Sequence, residues 1–580
     1  MPRKTNRRSS LKHLASFCAL SATALFSNAS TTAFAQVNLA PASVEETQIA
    51  RDAFSMGVLS PENGGLAPSL WANADPDQLA LLLRDAPAQP SSSVLGQLQQ
   101  RILLSSTAAP KAGDAAASPQ QISALAGGKL LALVRGGYTE EARTIASLSN
   151  ASRSDAGVNR ALAEADLLDG DLDAACRRNS RVSGNDRAAL FWVKLRILCY
   201  AADEAFDAAD LTLGILREQG GLTDGEAALF TAVSIPAPLK KPIAPVSALH
   251  LAAVRQIKGP LPAATLDVAD PGVLAAIALD ETIGVGLRAA AGERALYAGR
   301  LSATELAEIY RAAPMEGADA QTTSDLAPSL QSAGASNSAL VTARVYQQAS
   351  VMASPDFDRD KAGLLGRALN AATSPYATFA LARVFENEIK AFDGMLVTPE
   401  EAGGLALGAM VNGDADAAGK WLLAMLGGGL SEMEEPLALA FLERASLLAV
   451  LDPVVGAAIA ASANVTLSSP ASADVEGDVD RLRLARHVEA AIDAVANDAP
   501  GQKMLASIVL SEAAAMGDPV AASVLRASLK SAGLSDLARR HAFETAWRAG
   551  FPEAPAPAED LVAGAEDDGF TPSLKPQRVN

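Results

Sequence analysis

The chain has 580 residues, a formal net charge of −18 and a hydrophobic fraction of 49%, of which aromatic residues account for only 4% of the chain. The apolar share is mostly Ala, Leu and Val, and runs of β-branched residues with period-2 alternation are nearly absent, which excludes a predominantly β protein. A field this acidic repels nucleic acid and anionic lipid headgroups unless a local basic patch intervenes, so neither is expected as a partner.

The first 35 residues read as an export address. Arg3, Lys4, Arg7, Arg8 and Lys12 form a basic region without an acid. An apolar run of about 13 residues follows, too short for a stable membrane anchor. Ala33-Phe34-Ala35 then gives a small-x-small site, with cleavage expected between Ala35 and Gln36. The expected location is the periplasm of a Gram-negative-type cell. Asn6-Arg7-Arg8-Ser9-Ser10-Leu11-Lys12 resembles a twin-arginine signal, but Ser10 stands where that pattern prefers a large apolar residue, so the general secretory route fits better. Phe17 before Cys18 argues against a lipidated cysteine.

Residues 36–104 carry short helical patterns around Thr47–Met56, 76–84 and 93–104. Residues 105–120 are rich in small residues and read as a linker. Helical periodicity dominates 121–234, and the Pro-rich run at 235–245 breaks it, because each Pro removes a donor and biases its predecessor away from the α region. Within the segment 235–325 helical patterns resume at 246–312 and end in a polar stretch at 315–325. From 326 to 550 helix follows helix, and Asp452-Pro453 divides the apolar stretch 445–463 into two buried helices rather than one membrane span. Residues 551–580, rich in Pro and acid, are expected to be disordered.

A weak repeat runs through this. GYTEEAR begins at Gly137, GDLDAAC at Gly170, EAFDAAD at Glu204 and GDADAAG at Gly413. Ala142, Ala175 and Ala209 stand 33 and 34 residues apart, and Ala418 holds the same place in the last copy. A Gly accepts the left-handed conformation that closes a helix, an Asp caps the next, and a small Ala lets the two pack closely. The period and the small-residue positions resemble tetratricopeptide repeats, well over residues 125–220 and more loosely over 395–430. The resemblance implies stacked helical hairpins in an α-solenoid, a fold whose members usually hold other proteins, and it implies no chemistry.

Cys176 and Cys199 are the two cysteines left after the signal segment. In an oxidising compartment a disulfide is the default reading. On the repeat pattern Cys176 lies near the start of one helix and Cys199 near the end of the next. Those helices are antiparallel around Ser183-Gly184-Asn185, so the two thiols stand at similar heights. They are not arranged as C-x-x-C, and His250, His487 and His541 stand at no ligand spacing from them or each other. In the same stretch Trp192, Leu195 and Cys199 share one helix face and are expected in the core, leaving Lys194 and Arg196 toward solvent.

No catalytic, cofactor-binding or metal-binding residue emerges. Gly413…Gly419-Lys420-Trp421 has one residue too many for a phosphate loop and a Trp where Ser or Thr holds Mg²⁺. The acidic run from Asp474 to Asp480 has its Gly misplaced for a calcium loop and Ala485 where the bidentate Glu belongs. Glu140-Glu141 and Glu434-Glu435 are sequence neighbours that diverge on a helix, not acid/base pairs. The basic stretch from Arg526 to Arg548 reads as a solvated helix face, with docking of an acidic partner as the other reading. Trp71, Trp192, Trp421 and Trp547 are isolated and expected in the core. The sequence therefore points to an all-α periplasmic scaffold or adaptor that binds another cell-envelope protein and has no catalytic activity or cofactor. The competing reading is a helical enzyme or carrier acting on cell-wall or surface polysaccharide.

Overall fold

The structure, a computed structural model, describes residues 52–90, 92–112, 115–149, 155–314, 335–392, 397–467, 481–515, 519–551 and 562. All of them lie in one compact unit spanning 50–580. The expected cleavage site at Ala35 and Gln36, the polar stretch 315–325, the acidic run 474–480 and nearly all of the tail lie outside the described residues.

The fold is all-α. Among the described residues the first ten α-helices are α1 (Pro76–Asp85), α2 (Ser93–Leu104), α3 (Pro119–Arg135), α4 (Thr139–Leu148), α5 (Ala156–Leu168), α6 (Leu172–Arg181), α7 (Leu190–Ala202), α8 (Phe206–Glu218), α9 (Asp224–Ser234) and α10 (Ala248–Gln256). Shorter and longer helices continue to Ser535–Arg548, and extended pairing among the described residues is a two-residue ladder of Lys111–Ala112 with Ala115–Ala116 and two isolated bridges. No helix among the described residues is long and apolar enough to cross a membrane.

Local sequence sets the helix boundaries. Asp75 accepts hydrogen bonds from the amides of Asp77 and Gln78, and Pro76 opens α1. Ser118 with Gln121 and Thr223 with Glu226 form capping boxes at α3 and α9. The helices Glu435–Leu451 and Pro453–Ala463 divide at Asp452, whose side chain caps the second. At the four repeat turns the backbone is left-handed, with φ of 87° at Gly137, 81° at Gly170, 59° at Glu204 and 78° at Gly413. The aligned Ala142, Ala175, Ala209 and Ala418 are all fully buried, as close hairpin packing demands.

Three expectations need correction. Around Asp52–Met56 the chain makes turns, not a helix. It is held there by Lys129, a buried residue of α3 whose ammonium donates to the carbonyls of Phe54 (2.7 Å) and Met56 (2.6 Å). The stretch 105–120 is not a free spacer, because the amides of Ser106, Thr107 and Ala108 donate to the carbonyls of Leu59, Ser55 and Pro68. Lys194 does not face solvent but is buried, for reasons given below.

Adjacent helices pack in sequence: α3 on α5, α5 on α6, α6 on α7, α7 on α8 and α9, with α10 against α5, α7 and α9. Glycines set the closest crossings. A Cβ on Gly127 of α3 would lie 2.9 Å from Gly157 Cα of α5. The helices Asp358–Ala371 and Pro399–Val411 meet the same way, where a Cβ on Gly404 would overlap the carbonyl of Gly366. The chain also returns on itself, since α1 and α2 pack against Pro500–Ala515 and α2 against Ser535–Arg548.

Candidate functional site

A cavity of about 1260 Å³ opens between α1, α3, the first halves of α5 and α7, and the turn before α7. These are the helices that precede the repeat turns, together with α1. Small and apolar side chains make much of its wall, among them Ala80, Leu81, Ala124, Gly128, Leu131 and Leu190. Exposed Asp77, Arg84 and Asp186 also line it, and Arg135 and Arg160 lie half-buried in its wall. A space of this size suits a polypeptide segment or a large small molecule.

Its charged groups are largely committed to the protein. Asp155 caps α5 through the amide of Val158 (3.0 Å) and accepts from the Ser123 hydroxyl. Asp77 accepts from Gln121 Nε2 (2.9 Å). Arg160 pairs with Glu164 (3.1 Å) and stacks on the Phe191 ring at 4.9 Å. Arg84 pairs with its neighbour Asp85 (3.1 Å).

Lys194 also borders the cavity, and it belongs to a buried polar cluster. Its Nζ lies 2.5 Å from Glu226 Oε1, and His250 Nε2 lies 3.1 Å from the same oxygen. Glu226 Oε2 accepts from the Thr223 amide (3.0 Å), and Ser247 Oγ is 3.2 Å from His250 Nδ1. Burial pushes the Glu226 carboxyl up, but hydrogen bonds from His250, Lys194 and the Thr223 amide outweigh it and hold the group down at about 2. Ser, His and Glu are the residue types of a hydrolytic triad. Here Ser247 is 5% exposed and His250 0%, and Ser247 stands at the N-cap of α10. The cluster lies in the interior and ties α7, α9 and α10 together. Burial of Lys194 is satisfied by a carboxylate, and Glu226 lies 32 positions away, beyond the reach of helical periodicity.

No family model, no curated protein and no solved structure matches this chain.

The residues singled out from sequence fall as follows. Cys176 and Cys199 are joined in a disulfide with a Cα–Cα distance of 5.6 Å, linking α6 to α7. Cys199 stands on the same helix as Lys194, so the bond braces a wall of the cavity. Gly413 makes the turn between Pro399–Val411 and Ala415–Leu426, and Trp421 is buried on the second of these. Trp71, Trp192 and Trp547 are buried as well. In the basic stretch, Arg539 pairs with Asp536, and Arg548 turns inward to donate to Tyr297 Oη at 3.3 Å. Sequence reasoning found the helices that line the cavity but not the cavity itself. The one available signal is the set of small residues Ala124, Ala126, Gly127 and Gly128 on α3.

Proposed function

We propose that this protein is an exported helical-repeat scaffold of tetratricopeptide-like, α-solenoid character, and that the cavity beside α1, α3, α5 and α7 holds a segment of another cell-envelope protein without chemistry of its own. The observation that carries this reading is the cavity wall: consecutive hairpins contribute the same helix to it, and much of it is small and apolar. A polypeptide can lay apolar side chains on such a surface. The basic leader with its small-x-small site, the disulfide and the lack of a membrane-spanning helix among the described residues support export. The buried position of Ser247, His250 and Glu226 supports a non-catalytic role.

Crosslinking in living cells followed by affinity capture tests it, with wild type compared against Ala124→Trp. A half-buried Ala124 lines the cavity, and an indole there occupies the space a partner needs. The expected result is one or two stoichiometric envelope proteins with wild type and their loss with the folded variant. An identical set from both, or none from either, contradicts the reading.

A further inference from the structure

The connection between α9 and α10 carries Pro236, Pro238, Pro242 and Pro245. Each fixes its own φ and biases the residue before it toward extended backbone. Within this connection Ile243 is 2% exposed and Ala244 0%. The Asp270 amide donates to the Val246 carbonyl at 2.9 Å and anchors the far end. Exposed Lys240 and Lys241 stand at the near end.

Ala244 forms a parallel bridge with Val562, a residue of the C-terminal tail more than three hundred positions on. In a parallel bridge one of the two residues supplies both the donor and the acceptor. Were that residue Val562, its carbonyl would need the amide of residue 245, and Pro245 has none. Ala244 therefore supplies both, its N–H toward residue 561 and its carbonyl toward residue 563. A fully buried backbone needs such partners. The sequences on the two sides also match in charge. Counted back from the bridge in parallel register, Glu559 stands three before Val562 as Lys241 stands three before Ala244, and Asp560 follows Glu559.

We propose that residues 243–245 are a strand-accepting slot, and that its occupant is this chain's own C-terminal segment, centred on Val562 with Glu559 and Asp560 against Lys240 and Lys241. Main-chain bonds seat the segment, and the paired charges set its direction and register. An extended segment of another protein would have to displace the tail to use the same slot. The proposal is independent of the cavity and of what the cavity holds.

Hydrogen–deuterium exchange on the full chain at two protein concentrations tests this, with rates corrected for sequence. Wild type is compared with Ala563→Pro, which removes the amide that the Ala244 carbonyl accepts and lies outside every helix, and with Glu559→Lys/Asp560→Lys. The expected result in wild type is exchange over 558–564 about tenfold slower than over 570–580. Ala563→Pro should make the two equal and should speed exchange over 243–247, and the charge reversal should do the same in part. Equal rates in wild type, or an unchanged rate over 243–247 in Ala563→Pro, would overturn the slot. Slow exchange that is lost on dilution would overturn the tail's seating within its own chain and assign the slot to the tail of a second copy. An unchanged rate in the charge-reversed variant would overturn the part given to Lys240 and Lys241.

Discussion

Lys194 Nζ and Glu226 Oε1 meet at 2.5 Å in the interior, with both side chains under 5% exposed. The pair joins the cavity wall on α7 to the capping box that opens α9, because Glu226 also bonds the Thr223 amide. A charge in this position is tolerated only while its partner is present.

Lys194→Met therefore removes the ammonium from a buried carboxylate, which keeps only its His250 and Thr223 contacts, and is expected to lower stability by about 3–5 kcal/mol. Adding Glu226→Gln should recover much of that loss. Urea unfolding of the two variants measures both. The folded Glu226 pKa of about 2 lies below its ordinary 4.5. Its contribution is thus present above about 4.5 and is lost as pH falls from there through 2. The double variant should lack that acid limb.

Glu293 behaves in the opposite sense. Burial raises its carboxyl from 4.5 to about 7, against the lowering effects of the Tyr310 hydroxyl (2.9 Å) and Arg294. The native state binds the proton more tightly than the unfolded state, so its contribution is full below 4.5 and is lost as pH rises through about 7. Glu293→Gln keeps an acceptor for Tyr310 and removes the ionisation. Relative to wild type it should gain up to about 3 kcal/mol between pH 5 and pH 8, read as the difference between denaturation midpoints at the two pH values.

Glycines at helix crossings and glycines facing open space should respond in opposite directions. Gly404→Ala forces a methyl onto the Gly366 carbonyl and should cost about 1–3 kcal/mol. Gly214, within α8, has nothing within 4 Å of an added Cβ. Gly214→Ala should stabilise by about 0.5–1 kcal/mol through better helix propensity. Thermal melts of the two variants distinguish the cases.

The Cys176–Cys199 bond closes a separation of 23 residues. Replacing both cysteines by Ser should lower stability by about 3 kcal/mol in the chain-entropy account. A thiol reductant should impose a similar loss on wild type and none on the variant, as seen by denaturant unfolding with and without reductant.

The sequence made local relations visible. Capping residues, the left-handed turns and the facing cysteines could be read because their partners lie within a hairpin of each other. Glu204 shows the limit even there, since a residue other than Gly occupies the left-handed position. Relations across many hairpins could not be read. Lys194 looked like a solvated residue because its position on α7 says nothing of Glu226 on α9. The glycines Gly127 and Gly157 carry no mark of meeting each other. The packing of α1 against residues near 487–502 includes hydrogen bonds between side chains whose types are ordinary on any helix surface. The cavity was hidden for the same reason, because it is a property of four helices together.

The most direct test of the scaffold reading is a photo-crosslinking amino acid placed at Leu131, in the cavity wall, and separately at Leu211, on the outer face of α8 and 67% exposed. With irradiation of cells producing each protein, the account predicts one or two discrete envelope-protein adducts at Leu131 and none of these at Leu211. The same adducts at both positions, or no discrete adduct at Leu131, would contradict it.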